Sequence, residues 1–134
     1  MRGLLITGLF GVAMVGACRD RDAARPDCIC TAIFAAVNVA VVDTAGAPVL
    51  GLTPTITVRS SGRPLAPAPP AVGGGWYTVV SDAYMDQFAL DRDTLHFAVS
   101  SAGRSAAGDF VVDAPGSCHC HVHLVSGPDT LALR

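Results

Sequence analysis

The chain contains no lysine and no glutamate: its nine basic residues are all arginine and its eleven acidic residues all aspartate. With 14 glycines, nine prolines and abundant alanine, this skew reads as GC-rich coding rather than as function. The formal net charge is only −2, and the arginines form no cluster that could track a phosphate backbone. Nucleic acid is therefore not an expected partner. Serines are plentiful, but none stands in Gly-x-Ser-x-Gly, and no paired carboxylate stands out. The chain thus shows no nucleophile–base pair and no acid–base pair, and neither enzymatic activity nor a cofactor is expected. No apolar run reaches the roughly 20 residues that span a bilayer.

The longest apolar run, Leu4 to Val15, is about a dozen residues and follows Met1-Arg2-Gly3. A basic start, a short apolar stretch and small residues at the cut form an export signal. The signal ends in Val15-Gly16-Ala17-Cys18, which resembles the lipobox of bacterial lipoproteins. That resemblance implies removal of residues 1–17 and acylation of Cys18 on its thiol and amine. More than one acyl chain gives stable anchoring. It places the protein in the cell envelope, lipid-anchored on the extracytoplasmic side, facing the periplasm or on the outer membrane. Arg19 rather than aspartate follows Cys18, and by the same resemblance this favours onward export. Residues 19–27 are polar, contain Pro26 and read as a solvated tether. Residues 28–134 remain as one domain with a single small core.

Within that domain the hydrophobic period is two. Val37, Val39 and Val41 share one face, and Asp43 to Pro48 reads as a turn. Ile56 and Val58 alternate within Thr55–Arg59, and residues 60–75 form a Pro-, Gly- and Ser-rich loop, expected to be mobile over Pro67–Gly75. Tyr77 and Val79 define a strand in Trp76–Val80, leaving Trp76 on the opposite, exposed face as a candidate contact for sugar or peptide. Asp82 to Asp93 is an acidic connection with room for one helical turn. Leu95, Phe97 and Val99 mark the next strand, followed by Phe110–Val112, Cys118–Val125 and Thr130–Leu133. Seven short strands between turn signals predict an all-β, antiparallel-rich β-sandwich.

The stretch Val39-Ala40-Val41-Val42-Asp43-Thr44-Ala45-Gly46-Ala47-Pro48-Val49 resembles the opening of carboxypeptidase regulatory-like domains: a valine-rich strand, an Asp-x-x-Gly turn and Pro-Val. Gly75-Trp76-Tyr77-Thr78-Val79 is similar to their later Gly-x-Tyr-x-Val strand, and Leu95 to Gly103 to the strand and glycine turn that follow. The resemblance covers about residues 31–133. It implies a transthyretin-like (prealbumin-like) seven-stranded sandwich and a non-catalytic module that stabilises, presents or binds. The long Pro-rich insert and the cysteine pairs depart from the simplest pattern. Some transthyretin-like proteins hydrolyse a purine-breakdown product and end in Tyr-Arg-Gly-Ser; here the end is Thr130-Leu131-Ala132-Leu133-Arg134, which does not support that activity.

Cys28-Ile29-Cys30 and Cys118-His119-Cys120 are the sharpest chemical feature. On a strand, residues two apart point the same way, and Cys118 and Cys120 share parity with Val122 and Leu124, so the four sulfurs are expected to face the interior. Outside the cytoplasm such cysteines form disulfides. A bridge within Cys-x-Cys is awkward in an extended strand, which leaves the two arrangements between the pairs. The transthyretin-like layout, with its first strand parallel to its next-to-last, implies Cys28–Cys118 with Cys30–Cys120. The rival is a tetrahedral thiolate site for zinc or copper(I).

His119, His121 and His123 take the opposite parity and read as an outward stripe that could bind copper or zinc, with His96 outward on another strand. The plainer reading is a polar outer face that happens to be histidine. Asp82, Asp86, Asp91 and Asp93 match no EF-hand spacing and read as a solvated acidic loop rather than a calcium site. The expected function is a non-catalytic, lipid-anchored envelope module that binds or presents, with a protein or glycan partner. The alternative is a metal-binding envelope lipoprotein using the histidine stripe or the cysteine pairs.

Overall fold

The computed structural model describes residues 28–134. The signal, Cys18 and the tether lie outside the described residues. The strands are β1 (Ala36–Val42), β2 (Thr55–Val58), β3 (Ala71–Gly73), β4 (Trp76–Ser81), β5 (Asp93–Ser101), β6 (Arg104–Asp113), β7 (His123–Ser126) and β8 (Thr130–Ala132). A single 3-10 turn, Asp82–Tyr84, is the helical element among the described residues. The fold is all-β, built from two four-stranded sheets ordered β3-β4-β1-β8 and β2-β5-β6-β7.

Inward residues follow the two-residue period. Val37, Val39 and Val41 of β1 face Ile56, Val58, Leu95, Phe97, Phe110 and Val112 across a single core. At its centre the Phe97 and Phe110 rings meet edge to face, 6.2 Å between centroids, the arrangement favoured by aromatic quadrupoles. The register steps from Val37↔Val80 to Asn38↔Thr78, so Val79 is an extra residue in β4. Such a bulge breaks alternation locally. It explains why Val79 and Val80 are both buried although they are adjacent.

Eight strands are present among the described residues where seven are expected. The additional one, β3, is three exposed residues inside the segment read as a loop, and its pairing with β4 alone makes it a strand. Ahead of β3, at Leu65 and Ala66, the chain is held to the sandwich: Leu65 is buried, and the Gln87 carboxamide accepts from the Ala66 N–H at 3.0 Å and donates to the Ala66 carbonyl at 2.8 Å. β6 begins at Arg104 rather than near Phe110, because its first inward positions are the small Ala106 and Gly108, which carry little hydrophobic signal. It pairs with β5 over nine positions, joined at Ala102 and Gly103, both with positive φ, as a two-residue hairpin turn requires. The parallel neighbour of β1 is the last strand, β8, not the next-to-last; β7 lies at the edge of the other sheet.

Two of the motif segments meet in space. The Asp43 carboxylate accepts from the Ala45 and Ala47 N–H groups at 2.8 and 2.9 Å, closing the turn that delivers Pro48. Pro48 packs on Gly75, whose φ is +81°; a Cβ there would lie 2.6 Å from the Pro48 Cβ. Gly75→Ala combines a left-handed backbone with a clash and is expected to destabilise the domain by about 1–3 kcal/mol, read as a lower guanidinium midpoint at unchanged slope. Next to it, the buried Tyr77 hydroxyl donates to the Val49 carbonyl at 2.8 Å and accepts from the Leu52 N–H at 3.2 Å, fixing the chain after the turn.

Candidate functional site: the stapled amino-terminal segment

Residues 28–35 form no strand, yet two disulfides and several hydrogen bonds fasten them to the rest of the domain. Cys28 bridges Cys118 and Cys30 bridges Cys120, with Cα separations of 5.4 and 5.3 Å and the same sequence separation of 90. The offset continues to the next residue, where the Thr31 hydroxyl meets His121 Nε2 at 2.9 Å. Two irregular segments therefore run side by side in one direction, joined covalently twice and once by a hydrogen bond. The pairing is the one the transthyretin-like layout implies, but the route differs. The expected strand over Cys118–Val125 starts only at His123, because Gly116 (φ +83°) and His119 (φ +45°) turn the chain. Cys28 and Cys30 are exposed and Cys118 and Cys120 half-buried, so the sulfurs lie at the surface rather than in the interior.

The turn also disperses the histidine stripe. His119 Nδ1 donates to the Ala114 carbonyl, and His121 Nδ1 donates to Asp82 Oδ2 at 2.7 Å. His123, on β7, reaches Asp113 Oδ1 at 3.2 Å across the strand pair. His96 turns to Asp109 at 2.6 Å and to Arg59 on the outer face of the second sheet. Among the described residues no group of three or more His, Cys, Asp or Glu side chains is placed to hold a metal ion.

The organising residue of the segment is Asp82. Its carboxylate accepts from the Ala35 N–H at 2.9 Å, from the Val122 N–H at 2.8 Å and from His121, while its own N–H donates to the Ala35 carbonyl. Burial alone would raise the Asp82 carboxyl; the hydrogen bonds from Ala35, His121 and Val122 outweigh it and hold the group below the usual value of 3.8. Asp93 repeats the pattern. Burial pushes it up, and the Ala89 and Thr94 N–H groups together with the Ser60 N–H and hydroxyl bring it below 3.8. Neither is a solvated loop residue, as the acidic connection suggests. For Asp93 a signal was present: it shares parity with Leu95, Phe97 and Val99, so alternation itself turns it inward.

Because both folded carboxyls titrate below their unfolded values, their stabilisation is complete above about pH 4 and is lost as pH falls through the folded values. Acid unfolding is expected to set in below about pH 4. In Asp93→Asn the amide cannot accept from all four donors; stability at pH 7 should fall by about 1–3 kcal/mol, and its slope against pH between 4 and 2 should flatten.

Chemically, Thr31, His121 and Asp82 connect as a hydroxyl–imidazole–carboxylate relay, with Nδ1 on the acid and Nε2 on the hydroxyl. Acyl transfer also needs a substrate cleft and donors for an oxyanion. A cleft of about 320 Å³ is lined instead by Ser61, Arg63, Pro64, Ala66, Asp86 and Gln87, none of them from the stapled segment. The relay as it stands fixes the segment to the sandwich. No helix among the described residues is long and apolar enough to cross a membrane. Compared with known proteins, the chain matches no family model, no curated protein and no solved structure.

Proposed function

We propose that the protein is a lipid-anchored, non-catalytic module of the cell envelope, facing away from the cytoplasm, whose sandwich binds or presents a protein or glycan partner. The observation that carries this reading is the pair of disulfides closing the domain at the point where the tether enters it. Disulfides of this kind belong to an oxidising compartment, in agreement with the export signal and with Cys18 as the anchor. A transthyretin-like, carboxypeptidase regulatory-like sandwich is part of the same proposal, supported by the contact between the Pro48 turn and Gly75. The partner engages the β3 edge, where Val72 and Trp76 are exposed. Trp76 is the chain's one tryptophan, so its fluorescence reports occupancy of that edge.

The anchor is tested by expressing the full chain in a bacterium with an alkyne-labelled palmitate. Label on Cys18 and recovery in the membrane fraction are expected, both lost in Cys18→Ser. An unlabelled, soluble product overturns the reading. A metal-handling role would require the bridged cysteines to be reduced or the dispersed imidazoles to regroup.

A second reading, hydrolase, rests on the Thr31–His121–Asp82 connectivity alone. A fluorophosphonate probe decides it. No labelling is expected, whereas labelling abolished in both Thr31→Val and His121→Gln would make acyl transfer the leading function.

A further inference from the structure

The sequence from Cys28 to Ala35, Cys-Ile-Cys-Thr-Ala-Ile-Phe-Ala, contains no charge, no proline and no glycine. Three of its side chains are large, exposed apolar groups: Ile29 at 91%, Ile33 at 71% and Phe34 at 66%. Such groups on one short segment ordinarily turn inward or find a cover. Here they cannot turn inward. Ile29 stands between two bridged cysteines, and Ile33 and Phe34 stand between Thr31, bonded to His121, and Ala35, bonded in both directions to Asp82. The fastening that organises the site thus holds these three side chains in the open.

What lies within their reach follows from the chain that precedes them. Cys28 is ten residues after Cys18. Ten residues span at most about 35 Å when extended. The intervening residues carry three arginines and three aspartates, so no net charge draws the tether toward or away from a membrane. With Cys18 acylated, the end of the domain that bears Ile29, Ile33 and Phe34 is held next to the bilayer.

We propose that Ile29, Ile33 and Phe34 insert into the headgroup–acyl boundary of the anchoring membrane and set the domain's orientation on it. The inference rests on the lipid-anchor reading above. Apolar side chains bind such a boundary in proportion to the area they bury, and the lipid anchor removes the cost of bringing them there. The sandwich then stands with its stapled end down, and the disulfides hold the three side chains in a fixed relation to it.

The test uses the full chain, processed in a bacterium, extracted from membranes and reconstituted into phosphatidylethanolamine–phosphatidylglycerol vesicles with or without bromine-labelled acyl chains. Phe34→Trp in a Trp76→Phe background supplies one fluorophore in the segment. Intact mass first reads the acylation of Cys18; protein lacking the acyl mass overturns the anchor and this inference together. For acylated protein, brominated lipid is expected to quench emission at position 34 at least twofold. Adding Ile29→Asp and Ile33→Asp should abolish that quenching while leaving the acyl mass and the two disulfides intact. Aqueous emission without quenching in acylated protein overturns insertion while the anchor stands. Quenching that survives the two aspartates assigns it to tether proximity and also overturns the proposal.

Discussion

Loss of both disulfides is expected to lower stability by about 4–5 kcal/mol, while loss of either one alone costs less than about 1 kcal/mol. The asymmetry follows from the geometry of the pair. Each bridge closes a span of 90 residues, for which loop-closure entropy in the unfolded chain predicts about 4.6 kcal/mol at 25 °C. The second bridge joins residues only two positions from the first on each side, so it closes almost no further loop. Cys28→Ala with Cys118→Ala, and separately Cys30→Ala with Cys120→Ala, should therefore melt close to the parent. The quadruple variant should melt about 20 °C lower for a domain of this size. Guanidinium titrations of the three variants decide the matter. If each single removal costs half of the total, the bridges act through local packing rather than through chain entropy.

The second large effect belongs to the core. Phe110→Ala is expected to destabilise by about 3–5 kcal/mol, since the side chain is fully buried and loses its edge-to-face partner Phe97. Its other neighbour gives the prediction a sharper form. A Cβ on Gly127 would lie 2.6 Å from Phe110 Cδ1 and 3.2 Å from Cγ, closer than a packed ring tolerates. Gly127→Ala alone should cost about 1–3 kcal/mol through overpacking. In the Phe110→Ala background it should cost little or nothing, because the ring atoms it meets are gone. The two effects are thus coupled, and their sum overestimates the double variant. Additivity in calorimetry would show that the backbone at Gly127, not the ring, sets the cost.

These cases mark where residue pattern sufficed and where it did not. The strands with bulky alternation, Val37-x-Val39-x-Val41 and Leu95-x-Phe97-x-Val99, were readable because burial of every second side chain is the dominant energy of a sheet. The first half of β6 was not, since Ala106 and Gly108 fill inward positions where the hydrophobic signal vanishes. β3 was invisible for another reason: its residues are exposed and only pairing defines it. At the site, two Cys-x-Cys pairs point to disulfides, whereas strand parity extended through a stretch that turns at Gly116 and His119 places the sulfurs too deep. The role of Asp82 was beyond reach, because its donors Ala35 and Val122 are backbone groups brought to it from 47 and 40 residues away.

The constant 90-residue offset also has a mechanical side. Cys28–Cys118 and Cys30–Cys120 turn β1 through β6 into a closed ring of chain, with β7 and β8 outside it. A pull applied at Cys28 passes straight through sulfur to Cys118 and leaves the ring slack. Load applied against the far end can peel β8 from β1 and draw out β7, but the contour stored in the ring, on the order of 300 Å, stays locked. The sandwich can be pulled from its Cys28 end without being unspooled, and reduction of both bridges frees the stored contour.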